Sequence, residues 1–339
     1  MILIENYGLA IFCFVLTMIC WGSWANTQKL AAKTWRFELF YFDLAIGLLL
    51  TAVIAAFTVG SFGNVGRPFL EDLAQADSSS LLYALLGGII WNFGNLLLVA
   101  AIAVAGMSVG FPIGGGLAWV LGILVNVMLV VLDKGAIAGN AFLLFLGVAF
   151  LILAIFVCMV SYQRQMKAKG EFKSSKKGIW LSIGAGVTIA FFYGLVVKSL
   201  DNNFVIGGTG TLTPFTGVFM FALGAFLTTP IFNWYAMRHP VQGEPVAFKD
   251  YLKGSLSTHM TGVLGGVIWM TGMVLSFMAA GAANPAISYA LSNAAPVVAI
   301  LWGVLIWKEF KGAPKGTNTL LVIMFTLFLA GLVAITLSN

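Results

Sequence analysis

Charge is scarce in this sequence. Of 339 residues, 18 are basic and 12 acidic, a charged share of 9%, where a soluble domain carries roughly 25%. A hydrophobic share of 60% and a mean hydropathy of +0.99 go with it, which excludes an ordinary soluble fold and identifies an integral membrane protein. Cysteine is rarer still. Cys13, Cys20 and Cys158 fall inside or at the ends of apolar runs, giving neither a disulfide framework nor a metal spacing. No HExxH, GxSxG or P-loop occurs, and GGTGT from Gly207 has no lysine, which argues against an enzyme. No cofactor or metal is implied. The six excess positive charges sit between apolar segments rather than on one face, so nucleic acid is not expected as a partner. Ten-residue alternating strands are absent, which excludes a transmembrane barrel, and the mostly apolar helices offer no continuous polar stripe for a channel.

What is present is a series of ten apolar stretches, near 7–28, 38–62, 80–104, 108–132, 140–161, 178–200, 211–237, 257–281, 284–307 and 317–337. Each suffices to cross a hydrocarbon core of about 30 Å, which takes ~20 helical residues. In lipid the backbone must pair within its own segment, so these runs are expected to be helices and the fold an all-α polytopic bundle. The first run is too long for a signal-peptide core and is expected to be retained. With ten spans, the loops after the odd-numbered helices carry 15 basic residues and the opposite side 3. The positive-inside rule then makes the basic side cytoplasmic and puts both termini outside.

The two halves resemble each other. Leu85 to Gly94, LLGGIIWNFG, and Val263 to Gly272, VLGGVIWMTG, share their glycines and an Ile-Trp step at an offset of 178 residues, and Lys134-Gly135 matches Lys311-Gly312 at nearly the same offset. The expected organisation is a first five-helix repeat over 1–161, a basic cytoplasmic linker over 162–177 and a second repeat over 178–339. An odd number of spans per repeat inverts the second copy, an architecture recurrent in secondary transporters with their site at midplane.

Depth locates the candidate chemistry. Trp91 and Trp269 lie about twelve residues into their helices, ~18 Å at 1.5 Å per residue, near the middle of the bilayer. They are candidates for stacking on a planar ring or a sugar face, or else packing bulk beside the glycines. Asn92, Asn95, Thr271 and Asn126 lie nearby in sequence or depth and read as a polar substrate cavity, or equally as interhelical hydrogen-bonding groups. Asp43, in ELFYFDLAIG, stands about 10 Å into its helix; burial among apolar neighbours penalises the charged carboxylate, which suits reversible proton uptake. Lys29 is its expected salt partner, with a purely structural ion pair as the alternative. Glu38 is expected at the interface; His239 and His259 flank the cytoplasmic side, the second a weaker candidate for a proton relay.

The first apolar run ends in CWGSWANTQK, residues 20–29. Gly22, Asn26 and Lys29 share one helix face and Trp21, Trp24 and Gln28 another, so Trp21, Asn26 and Lys29, with Glu38, are candidates for a cytoplasmic gate. An interfacial helix end with aromatic anchors is the plainer reading. GxxxG spacings at Gly110–Gly114 and Gly262–Gly266 permit close crossings. Pro112, Pro214, Pro230, Pro285 and Pro296 are expected to kink or start helices.

Asn293 to Phe310, NAAPVVAILWGVLIWKEF, resembles the last-but-one helix of the drug/metabolite transporter superfamily, with its proline and its terminal glutamate, Glu309. CWGSW, FYFDLAIG, GGIIWNFGN with AGMSVGFPIGGGLAWVLGILVN, and RHPVQGEPVAFKDYLKG from Arg238 are most similar to the ureide permease family and to the glucose/ribose uptake and rhamnose–proton symporter families. The resemblance covers essentially the whole chain. It implies ten helices, outside termini and uptake, coupled to protons or another cation, of a small uncharged polar solute such as a monosaccharide, ureide or nucleobase. Asn293 joins the substrate-binding candidates on this basis. The central loop lacks the longer cytoplasmic segment of the plant members. A bacterial inner membrane is the expected location and the lipid bilayer a partner; a proton-coupled multidrug exporter of the same superfamily is the alternative reading.

Overall fold

A computed structural model describes residues 1–32, 35–134, 139–170, 172–201, 208–279, 282 and 291–338. Among these the regular secondary structure is helical, apart from an isolated bridge between Leu200 and Leu212. The helices are α1 (Tyr7–Ser23), α2 (Ala25–Ala31), α3 (Phe37–Phe57), α4 (Phe69–Gln75), α5 (Ser78–Ala105), α6 (Met107–Lys134), α7 (Ala141–Ala168), α8 (Phe172–Ala190), α9 (Phe192–Ser199), α10 (Pro214–Arg238), α11 (Phe248–Tyr251), α12 (Leu256–Ala279), α13 (Ala295–Leu301), continued by a π-helical turn over Trp302–Ile306, and α14 (Thr317–Leu337). Nine stretches among the described residues are long and apolar enough to cross a membrane, and Leu291–Ile306 is a shorter apolar helix where the sequence places the ninth span. Residues 283–290, with Pro285, lie outside the described residues. Exposed Phe12, Ile54, Phe142, Phe156 and Val322 mark helix faces that water would not tolerate in such numbers.

Several boundaries depart from the apolar runs for local reasons. The first span breaks at Trp24 and resumes as α2; the carbonyl of Ser23, at the end of α1, is taken up by Nδ2 of Asn26 at 2.7 Å. α7 runs to Ala168, into the stretch expected to be a linker, because helix propensity continues past the last apolar residue. Pro214 and Pro296 start α10 and α13, whereas Pro112 and Pro230 lie inside α6 and α10.

The chain divides into two units. The first comprises Met1–Phe93 and Phe191–Ala283. Within it α12 packs against α1, α2 and α3, and α3 also packs against α10. Two of its crossings are made by glycine pairs. A Cβ on Gly266 would strike the carbonyl oxygen of Leu44, and one on Gly47 that of Val263; likewise a Cβ on Gly88 would strike the carbonyl of Phe221, and one on Gly224 that of Leu85. The α3–α12 crossing and the α10–α5 crossing thus use residues related by 177 or 178 positions. An ion cluster ties the loops at one end: Nε of Arg67 meets Asp72 at 2.7 Å, its Nη1 meets Asp201 at 3.3 Å, and Asp72 accepts from the backbone N–H of Thr213 at 2.7 Å.

The second unit comprises Gly94–Ala190 and Asn284–Asn339. Here α6 packs against α7, α8 and α13, and α7 against α14. Gly114, of the first GxxxG spacing, sits where a Cβ would lie 3.1 Å from the carbonyl of Ser182 on α8. The glutamate noted in the sequence has a defined role: Glu309 accepts from the N–H groups of Met107 and Ser108, at 2.9 and 2.7 Å, and from the Ser108 hydroxyl. A carboxylate thereby caps the start of α6, where the first backbone donors of the helix have no partner within it.

Candidate functional site

The first unit gathers the aromatic candidates. Trp91 on α5 and Trp269 on α12 meet with ring centroids 4.3 Å apart, Trp21 of α1 stacks on Trp269 at 5.6 Å, and Phe221 of α10 lies parallel to Trp269 at 5.8 Å. Nε1 of Trp21 donates to the carbonyl of Trp269 at 3.0 Å, which fixes the indole's direction. Trp91 and Trp269 are 2% and 6% exposed. At this separation no planar ring fits between the two indoles, which meet at 48°.

Asn92 is fully buried in a knot of hydrogen bonds. Its Oδ1 accepts from the Tyr41 hydroxyl at 2.9 Å and from Thr229 at 3.3 Å, and its Nδ2 donates to Thr228 at 3.0 Å. The amide thus joins α3, α5 and α10. Thr271 is half-buried two residues beyond Trp269. Asn95, buried on α5, and Asn293, half-buried, belong to the second unit. The side chains of Asn126 and Lys134, and Gly135 of the second repeat match, lie outside the described residues.

Asp43 sits at a second locus of the first unit. It is 2% exposed. The Tyr251 hydroxyl donates to Oδ1 at 2.6 Å, and Nδ1 of His259 lies 3.0 Å from each carboxylate oxygen. Where the sequence suggested Lys29, the groups that hold this carboxylate are thus a tyrosine on α11 and a histidine at the start of α12. Burial, together with the Asp43 contact, pushes the Tyr251 phenol above its usual range, which keeps it a proton donor. Neither partner is adjacent to Asp43 in sequence; His259 stood out as a weaker proton-relay candidate, and Tyr251 lies in the FKDYLKG loop, noted for its resemblance alone. Lys29 is half-buried on α2.

Glu38, expected at the interface, is fully buried. It pairs with Nη2 of Arg36 at 2.6 Å, and Arg36 reaches on to the carbonyls of Gln242, at 3.0 Å, and Glu244. Nδ2 of Asn233 donates to the Glu38 carbonyl. Arg36 therefore fastens the start of α3 to the chain between α10 and α11, a role for which an arginine two residues before a helical glutamate was the available sign.

Comparison with known proteins bears on all of these elements. The family described as Ureide permease matches residues 40–178 and 156–338. Ureide permease 1 of Arabidopsis thaliana is 27% identical over an alignment of 395 positions that covers 100% of this chain and 99% of its own, and ureide permease 2 of the same plant is 27% identical with the same coverage. A probable glucose uptake protein of Staphylococcus aureus is 26% identical over 70% of this chain and 72% of its own. A solved crystal structure at 16% identity shares the fold with a TM-score of 0.57, covering 98% of both chains. The family match, which spans most of the chain, establishes that it belongs to the ureide permease family and, with the helical fold, that it is a multi-pass membrane transporter.

Proposed function

We propose that this transporter imports a small uncharged polar metabolite, a ureide, nucleobase or monosaccharide, in symport with protons. The observation that carries the coupling is Asp43: a carboxylate in a membrane-spanning helix, sealed from solvent and in contact with a second titratable side chain. Ionisable groups in spanning helices are costly and serve as ion or proton sites by default. The substrate class rests on the relatives, named for ureide permeation and glucose uptake. The aromatic wall of Trp21, Trp269 and Phe221 supplies the stacking surface, which a substrate meets once Trp91 parts from Trp269. Asn92, Asn95, Thr271, Asn126 and Asn293 are the proposed polar contacts, and Trp21, Asn26, Lys29 and Glu38 the cytoplasmic gate.

Alternating access by two inverted five-helix repeats is supported by the matched glycine crossings, since Gly47 and Gly266 recur as Gly224 and Gly88 in equivalent contacts. The distribution of basic residues supports external termini, and a bacterial inner membrane is the proposed location.

Thermal unfolding of the purified protein against allantoin, uracil, D-glucose and lipophilic cations tests the reading, because a ligand that binds only the folded state raises the midpoint. A rise with one neutral compound, lost in Trp91→Ala, is expected. Rises only with diverse lipophilic cations would overturn import in favour of drug export.

A further inference from the structure

The residue facing Asp43 is built into its position as firmly as Asp43 itself. Trp35 meets the His259 ring edge-on with centroids 5.2 Å apart, and Tyr251 does the same at 4.7 Å, so two aromatic rings fix the imidazole plane. That plane aims Nδ1 at both oxygens of Asp43. The far nitrogen, Nε2, lies beside Gly254, where a Cβ would stand 2.6 Å from it and 2.5 Å from the Trp35 ring. The His259 side chain is 22% exposed against 2% for Asp43, so one member of the pair reaches solvent and the other is sealed. All of these residues belong to the first unit.

We infer that His259 completes the site of the coupled proton: it relays that proton between solvent and Asp43, and Tyr251 ties the short helix α11 to the pair. The inference rests on the reading of Asp43 as the coupling residue and names what that reading lacks. A proton arriving at Nε2 of a neutral imidazole lets Nδ1 surrender its own to a carboxylate oxygen. One proton thus crosses the ring, the ring ends neutral in its other tautomer, and Asp43 ends protonated; the reverse exchange releases it. The distances of 3.0 Å suit direct transfer, and an imidazole has both the donor and the acceptor such a relay requires. Loaded, the pair is net neutral and tolerates burial; unloaded, it carries one negative charge that favours water.

Few other charges compete for this role among the described residues. From α11 and the turn after it come Tyr251, the exposed Lys249 and the Asp250–Lys253 pair, with Lys253 at 2.8 Å from Asp250, and α2, which packs against α3 and α12, brings the half-buried Lys29. On the approach to α3, Glu38 is engaged by Arg36. At the end of α10, Arg238 lies over the Trp234 ring and His239 against Tyr235. α12 presents His259.

The test is transport by the full chain in liposomes, with radiolabelled allantoin and D-glucose as probes. Uptake driven by an inward proton gradient is compared with counterflow, which exchanges probe for probe and needs no net proton movement. His259→Gln keeps a donor toward Asp43 but cannot relay. It is expected to lose gradient-driven uptake at least tenfold, with a flattened pH profile, while counterflow falls no more than about threefold. Tyr251→Phe leaves the pair but unties α11, and an entrapped pH dye is expected to report proton leak without probe at several times the wild-type rate.

Gradient-driven uptake in His259→Gln that keeps the wild-type rate and pH profile would overturn the relay while leaving Asp43 as coupling residue. Equal loss of both transport modes would reduce His259 to a structural pair and overturn it too. Counterflow in the wild type with no response to a proton gradient sinks the symport reading and this inference together. Should His259→Gln fail to fold, or neither probe move, the leak assay decides, and identical leak in Tyr251→Phe and wild type counts against the inference.

Discussion

A buried polar side chain in an apolar bundle is costly unless each of its polar atoms finds a partner, and Asn92 shows the rule met. Its amide serves Tyr41, Thr228 and Thr229 at once, yet Thr228 and Thr229 also donate to carbonyls of their own helix, and the Tyr41 hydroxyl has a second acceptor in the Asn92 carbonyl at 3.1 Å. Asn92→Leu is therefore expected to strand few groups outright and to cost about 1–3 kcal/mol, read as a lower unfolding midpoint of the purified protein. An unchanged midpoint would show that the amide is not structural. Glu309 is a different case, since it alone serves two backbone donors at the start of α6. Glu309→Ala is expected to cost about 1–2 kcal/mol, the scale of a lost helix cap, and Glu309→Gln less, because its amide oxygen still accepts from one of the two donors. Equal effects of the two substitutions would contradict the capping role.

At the scale of helices, side-chain volume decides where two backbones touch. Lipid tails are as apolar as the helices, so association rests on close packing through small residues. Gly88→Val and Gly266→Val each place bulk against a carbonyl of the facing helix, Phe221 and Leu44. Both are expected to abolish the monodisperse gel-filtration peak, and because the two crossings are counterparts they are expected to do so alike. Gly184→Ala on α8 is the control: its added methyl would meet only Leu97, at 3.5 Å, and it should be tolerated. The helices themselves were legible in the sequence because lipid demands long apolar runs, and the GxxxG spacing at Gly262–Gly266 pointed to one of the crossings. Boundaries set by other forces were not legible: the break at Trp24 is stabilised by the side chain of Asn26, and α7 outlasts its apolar residues. The site divided in the same way. Asp43 and Trp91 stood out by depth, whereas Tyr251 and His259 approach Asp43 across 208 and 216 residues of chain, a separation at which one sequence carries no pairing signal.

For the whole molecule the consequential quantity is orientation, because proton-driven import requires the Asp43 end of the first unit to open toward the cytoplasm at one stage of the cycle. Basic residues cluster in the loops on that side, and Lys or Arg in short loops resists translocation. Ser257, at the start of α12 near His259, and Ser78, at the start of α5, are both exposed, and the proposed topology puts them on opposite sides of the membrane. In a background with Cys13, Cys20 and Cys158 replaced, Ser78→Cys is expected to react with a membrane-impermeant maleimide in intact cells. Ser257→Cys is expected to react only after permeabilisation. Labelling in the reverse pattern would place the Asp43 end outside, turning the same carboxylate and histidine toward the medium and making proton-driven export the mode that their geometry serves.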